Sequence, residues 1–263
     1  MQAWSVTPLL PLCVLSGMAA ALVTGTLLIR DRAGKESPQV VPMVAAVVIG
    51  ATVSIGLLVL MVKRDAGWVR WDEAIEKWAA THATELSTNV LTAITQLGST
   101  WFIILISVVV AAYGFIREHR WQILAFMSIL VAGQSLLSNV IKWAVGRERP
   151  SLAPLAPFSS HSFPSGHTTA AAATYLGIAL VVGLFLRSRG RAFITGAAVG
   201  LAVAVGCSRV LLGVHWYTDV VAGLILGWSW FAVCWWLFGG RRFALGAGFR
   251  DARRPSRRQP TLS

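Results

Sequence analysis

Seven apolar runs, near 8–29, 40–62, 100–116, 121–141, 168–186, 192–210 and 219–238, dominate this chain. About 20 apolar residues in a helix cross the hydrocarbon core of a bilayer. Only structures that satisfy every backbone N–H and C=O internally survive there. The runs therefore predict an all-α, polytopic membrane helical bundle. With 56% of 263 residues hydrophobic and 13% charged, an ordinary soluble domain is excluded.

The expected organisation has three parts: a first span and cytoplasmic loop over 1–39, a transmembrane core over 40–240, and an Arg-rich cytoplasmic tail over 241–263. The tail has few large apolar residues and is expected to stay disordered. Residues Met1 to Pro8 carry no Lys or Arg, so a signal-peptide n-region is missing and 8–29 reads as a retained span.

A net charge of +12 first suggests nucleic acid, but the placement of the charge points to membrane topology and no nucleic-acid partner. If 30–39, 117–120, 187–191 and 241–263 face the cytoplasm, they hold 15 of the 23 Lys and Arg. The positive-inside rule then puts the N-terminus outside and the C-terminus inside. Lys63 and Arg64 run mildly against it. Cys13, Cys207 and Cys234 have neither metal-ligand nor disulfide spacing and read as small packing residues.

Between the second and third runs, Trp71, Ile75, Trp78, His82 and Leu86 recur at helical spacing, with Arg70, Asp72, Glu73, Glu76 and Lys77 on the other faces. This predicts one amphipathic interfacial helix. In the run at 121–141, Ser135, Ser138, Asn139 and Lys142 share a face, with Gln134 beside it, and the stripe is expected to lie under a site. Ala170–Ala173, the pair Gly196 and Gly200, and the pair Gly223 and Gly227 are expected at close helix crossings.

Three polar islands interrupt the apolar sequence. The first runs from Lys142 to Arg149-Pro150. The second is Pro164-Ser165-Gly166-His167. The third runs from Ser208-Arg209 through His215 to Asp219. On the topology above, all three fall at span ends on the extracytoplasmic face. Taken singly, each charge has a bland reading as a snorkelling side chain or an ion pair between helices. Together they supply what phosphoryl transfer needs. Lys142, Arg149 and Arg209 match charge on phosphate oxygens. Ser165 and Gly166 open a helix whose amides favour an anion. His215 and Asp219, four apart, stack on one helical face, so the carboxylate holds one ring nitrogen as N–H and frees the other as nucleophile. His167 has no such partner and suits a general acid. The expected course is in-line attack by His215, a phosphohistidine intermediate and hydrolysis. No metal is expected, because three cations oppose one, and no cofactor is implied. His161, in the Pro-rich loop, reads as solvated.

These islands resemble the signature of the phosphatidic acid phosphatase type 2 family, which shares a superfamily with vanadium haloperoxidases. The pattern is Lys, six residues, Arg-Pro; then Pro-Ser-Gly-His; then Ser-Arg, five residues, His, three residues, Asp. All three parts occur here in order. The resemblance covers about 40–240 and implies a six-helix core, with 8–29 as an extra span. It implies a metal-free site in which Lys142, Arg149, Ser165, Gly166, His167 and Arg209 line the phosphate, His215 attacks, Asp219 partners it and His167 is the acid. Tyr217 departs from the proline many relatives carry. The implied function is hydrolysis of a membrane-lipid phosphate in the bilayer. Polyprenyl diphosphate such as undecaprenyl diphosphate is the first expectation, with phosphatidic acid or phosphatidylglycerol phosphate beside it. A lipid phosphotransferase and a non-catalytic lipid-phosphate transporter are the alternatives.

Overall fold

The computed structural model describes residues 40–151 and 160–239. The expected first span, the C-terminal tail and most of the Pro-rich loop lie outside them. The described residues form eight helices and no strands: α1 Val40–Arg64, α2 Val69–His82, α3 Glu85–Gln96, α4 Thr100–Glu118, α5 Trp121–Val145, α6 Gly166–Gly183, α7 Ser188–Leu211 and α8 Tyr217–Gly239. Six of them (α1 and α4 to α8) are long and apolar enough to cross a membrane.

The centre of the bundle is α6 packed between α7 and α8. In α6, 72% of the apolar window is buried, against 11% in α1, which flanks the bundle. The difference follows from side-chain size. Ala170 to Ala173 and Gly177 on α6 let neighbouring backbones close in. A Cβ on Gly223 of α8 would sit 2.9 Å from the Ser165 carbonyl oxygen, and one on Gly227 would sit 2.6 Å from the Thr169 carbonyl oxygen. The start of α6 is thereby fixed against α8. Gly196 and Gly200 do not behave this way: both are exposed, with nothing within 4 Å of an added Cβ. On α7 the close crossing is at Gly206, where a Cβ would meet Val220 at 2.7 Å. On α1, α4 and α5, exposed Ile49, Leu57, Leu105, Val109, Leu136 and Trp143 need no protein partner, because lipid tails are as apolar as they are.

Residues 63–99 differ from the single helix expected. They form two, α2 and α3, broken at Ala83, which is extended. Thr84 then caps α3. Its Oγ1 accepts from the Ser87 amide at 3.2 Å while the Thr84 amide donates to Ser87 Oγ at 2.9 Å, a reciprocal cap that starts a new helix. Against the bundle, α2 turns a face that includes two of its carboxylates. That face carries Val69, Asp72, Ile75, Glu76 and Ala79, whereas Trp71 and Trp78 are exposed.

Candidate active site

Four helix ends meet at one place. Lys142 stands in the last turn of α5, Gly166 and His167 open α6, Arg209 closes α7, and His215 lies just before α8. Gly146 ends α5 in the left-handed region at φ 65°, and its amide caps the Lys142 carbonyl at 2.9 Å. That turn sends Arg147 and Arg149 back over the helix ends. Lys142, Arg149, Gly166, His167, Arg209 and His215 then line a single cavity of about 670 Å³.

Hydrogen bonds to neutral oxygens hold each cation in place. Lys142 Nζ donates to the His161 carbonyl at 2.6 Å. Arg149 Nε donates to the Ser160 carbonyl at 2.6 Å, and its Nη1 to the Val214 carbonyl at 2.6 Å. Arg209 Nη1 donates to Thr95 Oγ1 at 3.0 Å, while its buried Nε has no hydrogen-bond partner among the described residues. A buried guanidinium with an idle N–H is ready to receive an anion's oxygen.

His215 Nδ1 lies 3.3 Å from Asp219 Oδ2, and its Nε2 lies 3.1 Å from Arg149 Nη1. A guanidinium only donates, so Nε2 presents its lone pair and the ring hydrogen sits on Nδ1, facing the carboxylate. Burial pushes the His215 pKa well below its usual value, and the nearby Arg149, Arg209 and Lys142 cations push it further. The ring is neutral, with an unprotonated nitrogen at the cavity. His167 lines the same cavity, within electrostatic reach of His215, Arg209 and Arg149.

Ser165 and Asp219 stand behind this wall. The Ser165 amide donates to the Asp219 carbonyl at 3.0 Å, so it is not free for an anion as the sequence suggested. Its hydroxyl accepts from Thr168 Oγ1 at 2.9 Å and keeps its own hydrogen. The anion-facing amides are those of the following turn, where Gly166 lines the cavity. His161 is exposed, and only its backbone is engaged.

Two residues were not among the sequence candidates. Arg147 Nη1 donates to Asp219 Oδ1 and Thr218 Oγ1, both at 2.7 Å, and its Nη2 to Asp72 Oδ2 at 2.7 Å. Asp72 also accepts from the Thr218 amide at 2.9 Å and the Thr218 hydroxyl at 2.6 Å. Burial pushes the Asp72 pKa up, against the opposing pull of Arg147 and Thr218. The available signal was the spacing of Asp72 and Glu76 with Val69, Ile75 and Ala79, an apolar stripe with carboxylates in it.

The cavity does not stop at the charged groups. It continues between α4 and α5 past Ser107 and Ala111 on one side and Ser138, Gln134 and Ser128 on the other. From Lys142 to Ser128 the helix rises about 21 Å, well into the span. The polar stripe of α5 therefore faces a cavity open to a substrate. Ser138 Oγ is buried there with no hydrogen-bond partner among the described residues.

The profile of the PAP2 superfamily matches residues 121–243. The chain is 41% identical over 159 residues to phosphatidylglycerophosphatase B of Bacillus subtilis (strain 168), covering 59% of this chain and 77% of that protein. It is 38% identical over 119 residues to lipid A 1-phosphatase of Rhizobium johnstonii, covering 41% of this chain and 45% of that protein. The crystal structure of a transmembrane PAP2-type phosphatidylglycerolphosphate phosphatase from Bacillus subtilis superposes with a TM-score of 0.63 at 34% identity, covering 78% of this chain and 98% of that one.

Proposed function

The chain belongs to the PAP2 superfamily and is a membrane phosphatase, and we propose that it hydrolyses the phosphomonoester head of a glycerol-based membrane lipid. The observation that carries this reading is the cavity itself. It joins two imidazoles and three cations at one end to a groove between α4 and α5 at the other. A phosphate held at the charged end leaves its lipid portion in the groove.

His215 Nε2 attacks phosphorus in line with the leaving oxygen, forming a P–N bond as the P–O bond breaks. Asp219 holds the Nδ1–H and stabilises the charge that the ring gains. Lys142, Arg149, Arg209 and the first amides of α6 match charge on the equatorial oxygens. His167 gives its proton to the departing oxygen. It then takes one from the water that cleaves the P–N bond, releasing inorganic phosphate and restoring the Nε2 lone pair. No step calls on a metal.

The groove favours an oxygen-rich leaving group. Ser138 lines it below the phosphate site with a buried hydroxyl that has no partner among the described residues, and hydrocarbon alone would leave it so. Phosphatidylglycerol phosphate and phosphatidic acid carry hydroxyl or ester oxygens at that distance, whereas a polyprenyl chain carries none. The relatives' names, phosphatidylglycerophosphatase and lipid A phosphatase, point the same way. We therefore place glycerolipids ahead of polyprenyl diphosphate. The Lys and Arg distribution supports a site on the extracytoplasmic face and a cytoplasmic C-terminus.

The test is phosphate release by purified protein in nanodiscs from phosphatidylglycerol phosphate, phosphatidic acid, undecaprenyl diphosphate and a soluble aryl phosphate. Burying even four methylenes of the lipid favours it over the aryl compound by about 100-fold in kcat/KM. Equal turnover of the aryl phosphate, or release from the polyprenyl compound alone, contradicts the proposal.

A further inference from the structure

We propose that Asp72, on α2, and Arg147, in the turn after α5, are positioning residues for the His215–Asp219 pair. The inference rests on the catalytic reading of that pair and adds two residues to it.

Asp219 divides its carboxylate between two tasks. Oδ2 faces His215 Nδ1 at 3.3 Å and accepts from the Trp216 amide at 3.0 Å. Oδ1 is taken by Arg147 at 2.7 Å. A carboxylate turns easily about its last side-chain bond, whose torsion is broad. With Oδ1 pinned, Oδ2 stays opposite the imidazole and keeps the hydrogen on Nδ1.

Arg147 is itself held from three sides. Asp72 takes its Nη2 at 2.7 Å, Thr218 Oγ1 shares its Nη1, and the guanidinium carbon lies 5.2 Å from the centre of the Trp216 ring. Asp72 is fixed in turn by the Thr218 amide and hydroxyl, one residue before Asp219. The contacts close a ring from Asp72 through Arg147 to Asp219 and back through Thr218. The side chains of Asp72 and Asp219 are fully buried and that of Arg147 is 10% exposed.

The charges explain why both carboxylates are needed. A single guanidinium facing Asp219 alone would draw its charge away from His215. Asp72 shares that guanidinium, leaving Asp219 enough negative charge to steady the imidazole as it becomes cationic. The contribution comes from a helix outside the bundle of spans, so the orientation of the pair depends on how α2 is seated.

The experiment compares Asp72→Asn and Arg147→Lys in the native background and in an Asp219→Asn background, in nanodiscs with phosphatidylglycerol phosphate. Loss of an orienting partner is expected to lower kcat by about 10- to 100-fold, with KM and the inhibition constant of inorganic phosphate within about twofold. In the Asp219→Asn background the same change should alter kcat less than about twofold, because the residue it acts through is already disabled. A merely structural role would lower kcat by the same factor in both backgrounds, through loss of folded protein, and that result overturns the proposal. So does a rise in KM with kcat intact. If Asp72→Asn does not fold, Arg147→Lys carries the comparison, since it keeps the charge and loses the two-pronged grip. An Asp219→Asn enzyme with native turnover would remove the catalytic reading as well, whereas an inactive Asp219→Asn beside a native Asp72→Asn removes only this inference.

Discussion

Arg149 Nη1 lies 3.1 Å from His215 Nε2, on the nitrogen that faces the cavity. Because the guanidinium is a donor only, the contact fixes the tautomer of the ring and marks where a phosphate oxygen must enter. In the proposed mechanism, Arg149 exchanges the imidazole lone pair for an oxygen of the substrate and frees Nε2 to attack. Replacing Arg149 by Lys keeps the charge but loses the planar fork. Since the fork serves both ground and transition states, kcat/KM for a lipid phosphate is expected to fall by about 10- to 100-fold, one charged hydrogen bond of roughly 1.5–3 kcal/mol. Steady-state kinetics check it, and an unchanged kcat/KM contradicts the assignment.

The pH profile follows from the depressed pKa of His215. Its ordinary value is 6.5, and burial with three cations nearby lowers it well below that. A group lowered in the folded protein stays neutral while the unfolded chain takes up a proton. Its share of stability is therefore present above pH 6.5 and is lost as the pH falls through the folded value. For catalysis, the nucleophile stays unprotonated at pH 6.5 and below it, down to the lowered folded value. Once kcat/KM is corrected for ionisation of the substrate phosphate, no acid limb attributable to His215 should appear near 6.5. A tenfold fall per pH unit below that value would contradict the neutral ring.

Ser138 sets stability against function. Its buried hydroxyl has no partner among the described residues, and an unsatisfied buried hydroxyl costs about 1–3 kcal/mol. Ser138→Ala should therefore leave thermal stability unchanged or raise it. If the hydroxyl meets an oxygen of the glycerolipid, the kcat/KM ratio of lipid to aryl phosphate should drop by about fivefold to tenfold. Parallel unfolding and kinetic measurements decide the matter, and a constant ratio contradicts it.

The two pairs of glycines should separate cleanly. A methyl on Gly223 meets the Ser165 carbonyl oxygen at 2.9 Å, so Gly223→Ala pushes α8 from the start of α6. Overpacking of this kind costs about 1–3 kcal/mol and here also moves Asp219 relative to Gly166. Gly196→Ala meets nothing within 4 Å and should change neither melting temperature nor turnover. Equal behaviour of the two variants contradicts the packing described.

Turnover should persist in excess EDTA, because the charge that a metal would supply comes from Lys142, Arg149 and Arg209 lining the cavity. Loss of activity that zinc or magnesium restores would count against that mechanism.

The bundle was legible because hydropathy and length alone identify a span, as in α4 to α8. The grouping of Lys142, His167, Arg209 and His215 was legible because the topology places their helix ends on one face. The clasp around Arg147 was not. Asp72 sits 75 residues away on an amphipathic helix, where a carboxylate ordinarily faces water, and only the tertiary fold brings α2 against Thr218. The break at Thr84 was missed because Thr and Ser three residues apart cap a helix without the usual Glu or Gln. Gly196 and Gly206 differ only in which side of α7 meets a neighbour, which spacing cannot tell.

The central claim is that His215 forms the bond to phosphorus. The most direct measurement is phosphate release by purified His215→Ala protein, folded by chromatography and melting temperature, against the unaltered protein on the same lipid phosphate. Loss of a covalent nucleophile should lower the rate by about 1,000-fold or more. Release within a few-fold of the unaltered protein would contradict the claim.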